Sequence, residues 1–259
     1  MSRIALSYSQ TGQGAPLVLI HGVGSRAEDW SGVIDALGEG FSILAYDQRG
    51  HGDSDTPPGP YTIEHLTGDL INLMDDLGLA RAHIAGFSLG GLVALSVALN
   101  HPERVDKLAL ISTVAGRTDE EKARVLARLE FLLNAPPSDY FEQSVERWFT
   151  PAFREAHPEV VAGRKARAVA MDPVAYAAAY HTLAHTDFGR ALTGIEAETL
   201  VMTGEDDIGS TPRMAEVMRG HIPNAQLRIL PGLRHSLLLE APGVVGVLLR
   251  AFFRGEPLP

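Results

Sequence analysis

Short apolar runs bounded by Gly, Pro or Asp recur along the chain at Leu17 to Ile20, Ile43 to Tyr46, His83 to Ala85, Leu108 to Ile111, Leu200 to Met202 and Leu227 to Leu230. Runs of this length, rich in apolar and β-branched residues, predict buried strands. Between them the apolar spacing changes. Ile63 to Leu77 carries apolar residues at Ile63, Leu66, Leu70, Leu73, Met74 and Leu77, and Leu89 to Asn100 continues in the same way. Those spacings predict helices. Strands alternating with helices predict an α/β fold with a mostly parallel sheet covered on both faces. The alternation breaks from about Val114 to Arg190, where helical blocks at Asp119 to Leu133, Asp139 to Trp148 and Pro173 to Ala184 are punctuated by Pro136, Pro137, Pro151, Pro158 and Pro173. Prolines mark helix ends. The expected organisation is a core of residues 1–113 and 191–259 carrying an inserted helical cap of residues 114–190. Pro57-Pro58-Gly59-Pro60 reads as a loop, and no internal repeat is visible.

Composition narrows the function classes. The chain has 259 residues, 45% hydrophobic and 21% charged, enough to bury a sizeable core, and lacks an apolar window of about 18 residues that would span a bilayer. A formal charge of −10 without a basic stripe argues against nucleic acid as a partner. The same charge repels anionic substrates unless a local cation overcomes it. The opening MSRIALSYSQTGQG has no signal-peptide pattern and the chain has no cysteine, so a cytoplasmic protein is expected, with a small-molecule substrate, no membrane partner, and homo-oligomer formation left open.

Gly86-Phe87-Ser88-Leu89-Gly90 matches G-x-S-x-G between a buried run and an apolar helix pattern. That context predicts a nucleophilic serine on a sharp strand-to-helix turn, flanked by glycines because side chains there would meet neighbouring backbone. A serine that merely caps a helix is the plainer alternative. Downstream, Glu205-Asp206-Asp207 follows one strand run and His235 lies just past the last. The chain order Ser, acid, His suits acyl transfer, with His235 as general base and a carboxylate fixing its tautomer. Which of the three acids does so stays open on position alone. His21-Gly22-Val23-Gly24 follows the first strand run, where backbone N–H groups of Val23 and Leu89 would form an oxyanion hole. His21 is expected to be structural.

With elbow, acids, histidine and HG loop placed, the chain resembles the α/β-hydrolase superfamily over nearly its whole length. Tyr46 to Ser54 is similar to a scaffold turn common in that family. The resemblance selects the acid: it stands three residues after the glycine ending the penultimate strand, which implies Asp207, with Asp206 as runner-up. Within the cap, Arg147 to Phe153, Tyr176 to Tyr180 and Asp187 resemble 3-oxoadipate enol-lactonases, which hydrolyse a small carboxylated lactone in aromatic catabolism. This implies an ester or lactone hydrolase for a small acid. Arg117 and Arg147 are candidates to hold a carboxylate bidentately, with Trp148 beside them.

Neither cofactor nor metal is expected. His181 and His185 stand four apart on a predicted helix, but without the intervening Glu of H-E-x-x-H. A serine at the elbow argues against the dehalogenases and epoxide hydrolases of this fold, which use aspartate. The alternatives kept are a carbon-carbon bond or amide hydrolase of ring-cleavage products and a small-ligand receptor with little turnover.

Overall fold

The computed structural model describes residues 3–134 and 136–259. Met1 and Ser2 of the opening stretch read above, and Ala135, lie outside the described residues. Each predicted strand is present and longer than its apolar run: β2 (Gly14–Ile20), β3 (Gly40–Tyr46), β4 (Ala82–Phe87), β5 (Val105–Ile111), β6 (Glu198–Gly204) and β7 (Ala225–Leu230). One strand carries no such signal. β1 (Tyr8–Thr11) is exposed along its whole length, so its sequence has no buried face to reveal it. It pairs antiparallel with β3, Tyr8 opposite Tyr46, at the edge of a seven-stranded sheet ordered β1-β3-β2-β4-β5-β6-β7.

The remaining pairings are parallel, and their register decides where chemistry can occur. Ile20 lies opposite both Tyr46 and Gly86, Phe87 opposite Ile111, Ile111 opposite Met202, and Gly204 opposite Leu230. The carboxyl ends of the six strands β2 to β7 therefore finish together on one edge, where loops of an open α/β sheet bind ligands.

Strand alternation divides the core into two layers. Val18 and Ile20 face α2 (Ile63–Asp76), α3 (Leu89–Asn100) and α9 (Pro212–His221), whereas Leu17 and Leu19 face α1 (Ser31–Leu37), the short α10 (Leu237–Glu240) and α11 (Pro242–Arg254). α3 is buried at every position from Leu89 to Ala98, as expected of a helix apolar all round. Five helices, α4 (Asp119–Asn134), α5 (Pro137–Trp148), α6 (Pro151–Ala156), α7 (Pro158–Ala170) and α8 (Pro173–His185), run between β5 and β6. They share a third cluster built on Tyr140, Phe141, Trp148, Phe149, Tyr176 and Tyr180. The sequence pattern anticipates α4, α5 and α8 but not α6 or α7, because α7 buries only Arg164 and Ala168 and thus shows little apolar stripe. Among the described residues no helix is long and apolar enough to cross a membrane.

Helix α11 packs on α1 so closely that a Cβ on Gly246 would lie 2.5 Å from Ala36 Cβ and 2.8 Å from the Val33 carbonyl oxygen. Near the end of α9, Gly220 has nothing within 4 Å of such an atom. The same substitution should therefore act in opposite directions. Gly246→Ala is expected to lower unfolding free energy by about 1–3 kcal/mol through overpacking, and Gly220→Ala to raise it by up to about 1 kcal/mol through helix propensity. Urea denaturation of both variants reads the sign; a stabilised Gly246→Ala would show that the two helices can separate freely.

Candidate active site

Ser88 joins β4 to α3 with φ 55 and ψ −116, a conformation non-glycine residues rarely adopt. Its amide donates to the Ile111 carbonyl at 2.9 Å, and its carbonyl accepts from Thr113 Oγ1 at 2.7 Å and Gly91 N–H at 3.0 Å. The neighbouring glycines are required by space. A Cβ on Gly86 would stand 2.2 Å from the Gly90 carbonyl oxygen, and one on Gly90 would stand 2.3 Å from that of Ile20.

The three distant segments converge on the carboxyl edge of the sheet. Ser88 Oγ is 3.2 Å from His235 Nε2, and His235 Nδ1 is 2.7 Å from Asp207 Oδ2. Asp207 is 2% exposed, and its Oδ1 accepts from the Gly209 and Ser210 amides at 2.8 and 2.9 Å. With Oδ1 so engaged, Oδ2 is left to accept from His235 Nδ1–H, which makes Nε2 the basic nitrogen facing the serine. Asp206 and Glu205 are exposed, and Glu205 Oε2 accepts from the Gly232 amide at 3.1 Å. Burial thus separates Asp207 from its neighbours. Gly204 lets the two loops meet, since a Cβ there would lie 2.2 Å from the Leu233 carbonyl oxygen.

The HG loop lies against the elbow, where a Cβ on Gly22 would be 2.9 Å from Ser88 Cβ. Leu89 opens α3, so its N–H has no partner within the helix. Among the described residues no turn, loop or cap hydrogen bond engages the Val23 or Leu89 amide. Two buried histidines set the shape of this loop. His21 Nδ1 donates to the Gly22 carbonyl at 2.7 Å while Nε2 accepts from the Gln48 amide at 2.9 Å; His51 Nδ1 donates to the Arg49 carbonyl at 3.0 Å while Nε2 accepts from the Gly24 amide at 3.0 Å. Burial pushes His21 down to about 4 and, helped by its histidine neighbour, His51 down to about 3.

A cavity of about 350 Å³ opens above Ser88 and His235, walled by Arg147, Trp148, Tyr176 and Arg117 among others. Arg147 Nη1 is buried without a partner. Trp148 is buried, and the Arg164 guanidinium stacks 4.3 Å over its ring. Arg117 reaches the wall, but its guanidinium donates to the Leu183 and Thr186 carbonyls at 2.8 and 2.9 Å and so closes the carboxyl end of α8. Sequence reasoning missed Glu240. Its Oε1 accepts from the amide and hydroxyl of Thr150 at 2.8 and 2.7 Å and its Oε2 from the Arg234 amide at 3.1 Å, while Ser236 N–H donates to the Trp148 carbonyl at 2.9 Å. These bonds join both flanks of His235 to the helical insert, across separations that no local motif records. The His181 and His185 rings stack at 4.0 Å, and among the described residues no group of three His, Cys, Asp or Glu side chains could hold a metal.

A parallel sheet with a strained Ser elbow, a buried Asp and a His at its carboxyl edge, under inserted helices, defines the α/β-hydrolase class. The chain belongs to the alpha/beta hydrolase fold family, which it matches over residues 15–242. It is 30% identical to 3-oxoadipate enol-lactonase 2 of Acinetobacter baylyi over 92% of this chain and 89% of that one. Identity is 28% to the (E)-2-((N-methylformamido)methylene)succinate hydrolase of the same bacterium, over 96% and 94%. Among solved structures, the enol-lactonase from Burkholderia xenovorans LB400 superposes with a TM-score of 0.90 at 30% identity, covering 97% of each chain. The likeness to enol-lactonases read from residues 147–153 and 176–180 therefore extends through the fold, and the relatives are hydrolases.

The depressed histidines set a pH window for stability. Folded His21 and His51 refuse protons that the unfolded chain accepts near its ordinary value of 6.5. Their contribution is present above about pH 6.5 and is lost as pH falls from there towards the folded values. The thermal midpoint is expected to fall from pH 6.5 to 4.5, before most carboxylates titrate. A midpoint flat over that interval, measured by differential scanning calorimetry, would show that the loop histidines take up protons without unfolding.

Proposed function

We propose that this chain is a serine hydrolase that cleaves a small carboxylated ester or lactone through an acyl-enzyme. The observation that carries the reading is the continuous chain Ser88 Oγ, His235, Asp207, with spacings of 3.2 and 2.7 Å, at the floor of a cavity whose wall presents Arg147. His235 Nε2 takes the hydroxyl proton as Ser88 Oγ attacks the carbonyl carbon, and Asp207 stabilises the imidazolium that forms. The oxyanion is received by the Val23 and Leu89 amides, neutral donors fixed in place before reaction. His235 then returns the proton to the leaving oxygen. Water attacks the acyl carbon, passes its proton through the same nitrogen, and releases the acid and Ser88.

Arg147 serves as partner for the substrate carboxylate, with Trp148 as the apolar surface beside it. Arg117 instead shapes the wall by holding the end of α8. This chemistry uses no cofactor. An amide in place of the ester is the second reading, favoured by the name of the 28% identical relative.

A small fluorophosphonate is expected to label Ser88, located by mass spectrometry, and His235→Ala to abolish the labelling. Ser88→Ala and His235→Ala should each lower kcat/KM on a responsive ester or lactone by on the order of 10⁴-fold or more, with circular dichroism unchanged. Substantial turnover by folded Ser88→Ala would sink the mechanism, whereas ligand binding without labelling of the wild type would favour a receptor.

A further inference from the structure

Arg147 is not the sole cation facing the cavity. Arg124 and Arg128, both on α4, line it as well; Arg124 is exposed, whereas the Arg128 guanidinium lies 4.5 Å over the Tyr140 ring and donates Nη2–H to Ser144 Oγ at 2.5 Å. Ser144 is spent in turn, donating to the Tyr140 carbonyl at 2.9 Å. Arg128 Nε, like Arg147 Nη1, is buried with no partner. A guanidinium N–H removed from water and left unbonded is unfavourable, and the planar fork of arginine fits a carboxylate.

No charge on the wall answers these cations. Glu121 is the one acid among the described lining residues, and Arg213 holds it, with Nε 3.1 Å from Oε1. Burial raises the hydroxyls of Tyr140, Tyr180 and Tyr176, the last to about 12, so all three present neutral O–H groups. Arg128 and Arg147 also have different neighbours on the wall. A Cβ on Gly209, in the loop after Asp207, would lie 3.7 Å from Arg147 Nη2, whereas Arg128 rests on Tyr140 and Ser144.

The geometry points to a second carboxylate seat at Arg128, distinct from the one at Arg147. The preferred ligand is a small aliphatic dicarboxylate that also carries the scissile bond, with one carboxylate on each guanidinium. This rests on the hydrolase reading for the scissile bond, but the seat itself is read by binding alone.

Isothermal calorimetry with glutarate and adipate against pentanoate and hexanoate separates the two. Wild type is expected to bind the better dicarboxylate at least about tenfold more tightly than the monocarboxylate of equal length. Arg128→Met should erase that advantage while leaving monocarboxylate affinity within about twofold, since one charge-assisted contact is removed. Arg128→Gln, which keeps a donor without the charge, should do the same and serves if the methionine variant does not fold. Equal binding of mono- and dicarboxylates by wild type overturns the second seat. So does an equal loss of both ligands in Arg128→Met, which would mean that the two arginines grip one anion. Fluorophosphonate labelling of wild-type Ser88, run alongside, keeps the tests apart: failed labelling with intact dicarboxylate preference removes the hydrolase reading and leaves the seat standing.

Discussion

The strained backbone of Ser88 is the constraint on which the rest of the site depends. A non-glycine residue at φ 55 costs about 1–3 kcal/mol and persists only where its surroundings over-determine it. Here they do. The residue is held on both sides, by the Ile111 carbonyl on its amide and by Thr113 Oγ1 on its carbonyl. Bare backbone at Gly86 and Gly90 then lets α3 press against the ends of β2 and β4. That close approach does two things together: it lifts the hydroxyl above the sheet edge and brings the first amide of α3 beside the HG loop. A helix set farther back would relieve the strain and lose both.

His235 is held by a different kind of restraint. His235 sits in a loop whose flanking residues are tied to the helical insert through Glu240, Thr150 and the Trp148 carbonyl. The same stretch of insert carries Arg147 and Trp148 into the cavity wall. Wall and His235 are therefore parts of one hydrogen-bonded unit. A ligand that pulls on Arg147 acts through one residue on a carbonyl bonded beside His235, so in the proposed mechanism recognition and proton transfer share a frame. Hydrogen bonds to a carboxylate are among the stronger ones in a protein, which suits Glu240 to this joint.

What could be read in the sequence follows burial. Strands β2 to β6 are legible because most of their length is buried, leaving apolar runs, and β7, at the sheet edge with only Leu230 buried, by Leu227, Ile229 and Leu230; β1 is not, because none of its residues is buried. The elbow is legible because steric demand fixes residue type at Gly86 and Gly90. The acid is less so: Glu205, Asp206 and Asp207 are chemically alike and adjacent, and they are distinguished by which one the turn buries against the Gly209 and Ser210 amides. Arg117 shows the limit from the other side. In sequence it is a cation near a cavity, and only the folded end of α8 supplies the carbonyls that occupy it. Arg128 and Glu240 act through partners on other elements, and no spacing announces them.

Charge explains why the arginines matter more than their number. A chain of net −10 sets up a field that disfavours anions at its surface, and salt screens that field over about 10 Å. Inside the cavity the dielectric is lower and screening weaker, so a guanidinium a few ångströms away outweighs many distant carboxylates. Glu121 would cancel part of this attraction, but its pairing with Arg213 turns it away from that role. Pairing of Glu121 with Arg213 thus leaves the arginines of the wall without an acidic partner in the lining. On the proposed function, an acidic protein would in this way select an acidic ligand: the bulk field discourages anions that do not reach the guanidinium groups, and the buried unpartnered N–H atoms favour those that do.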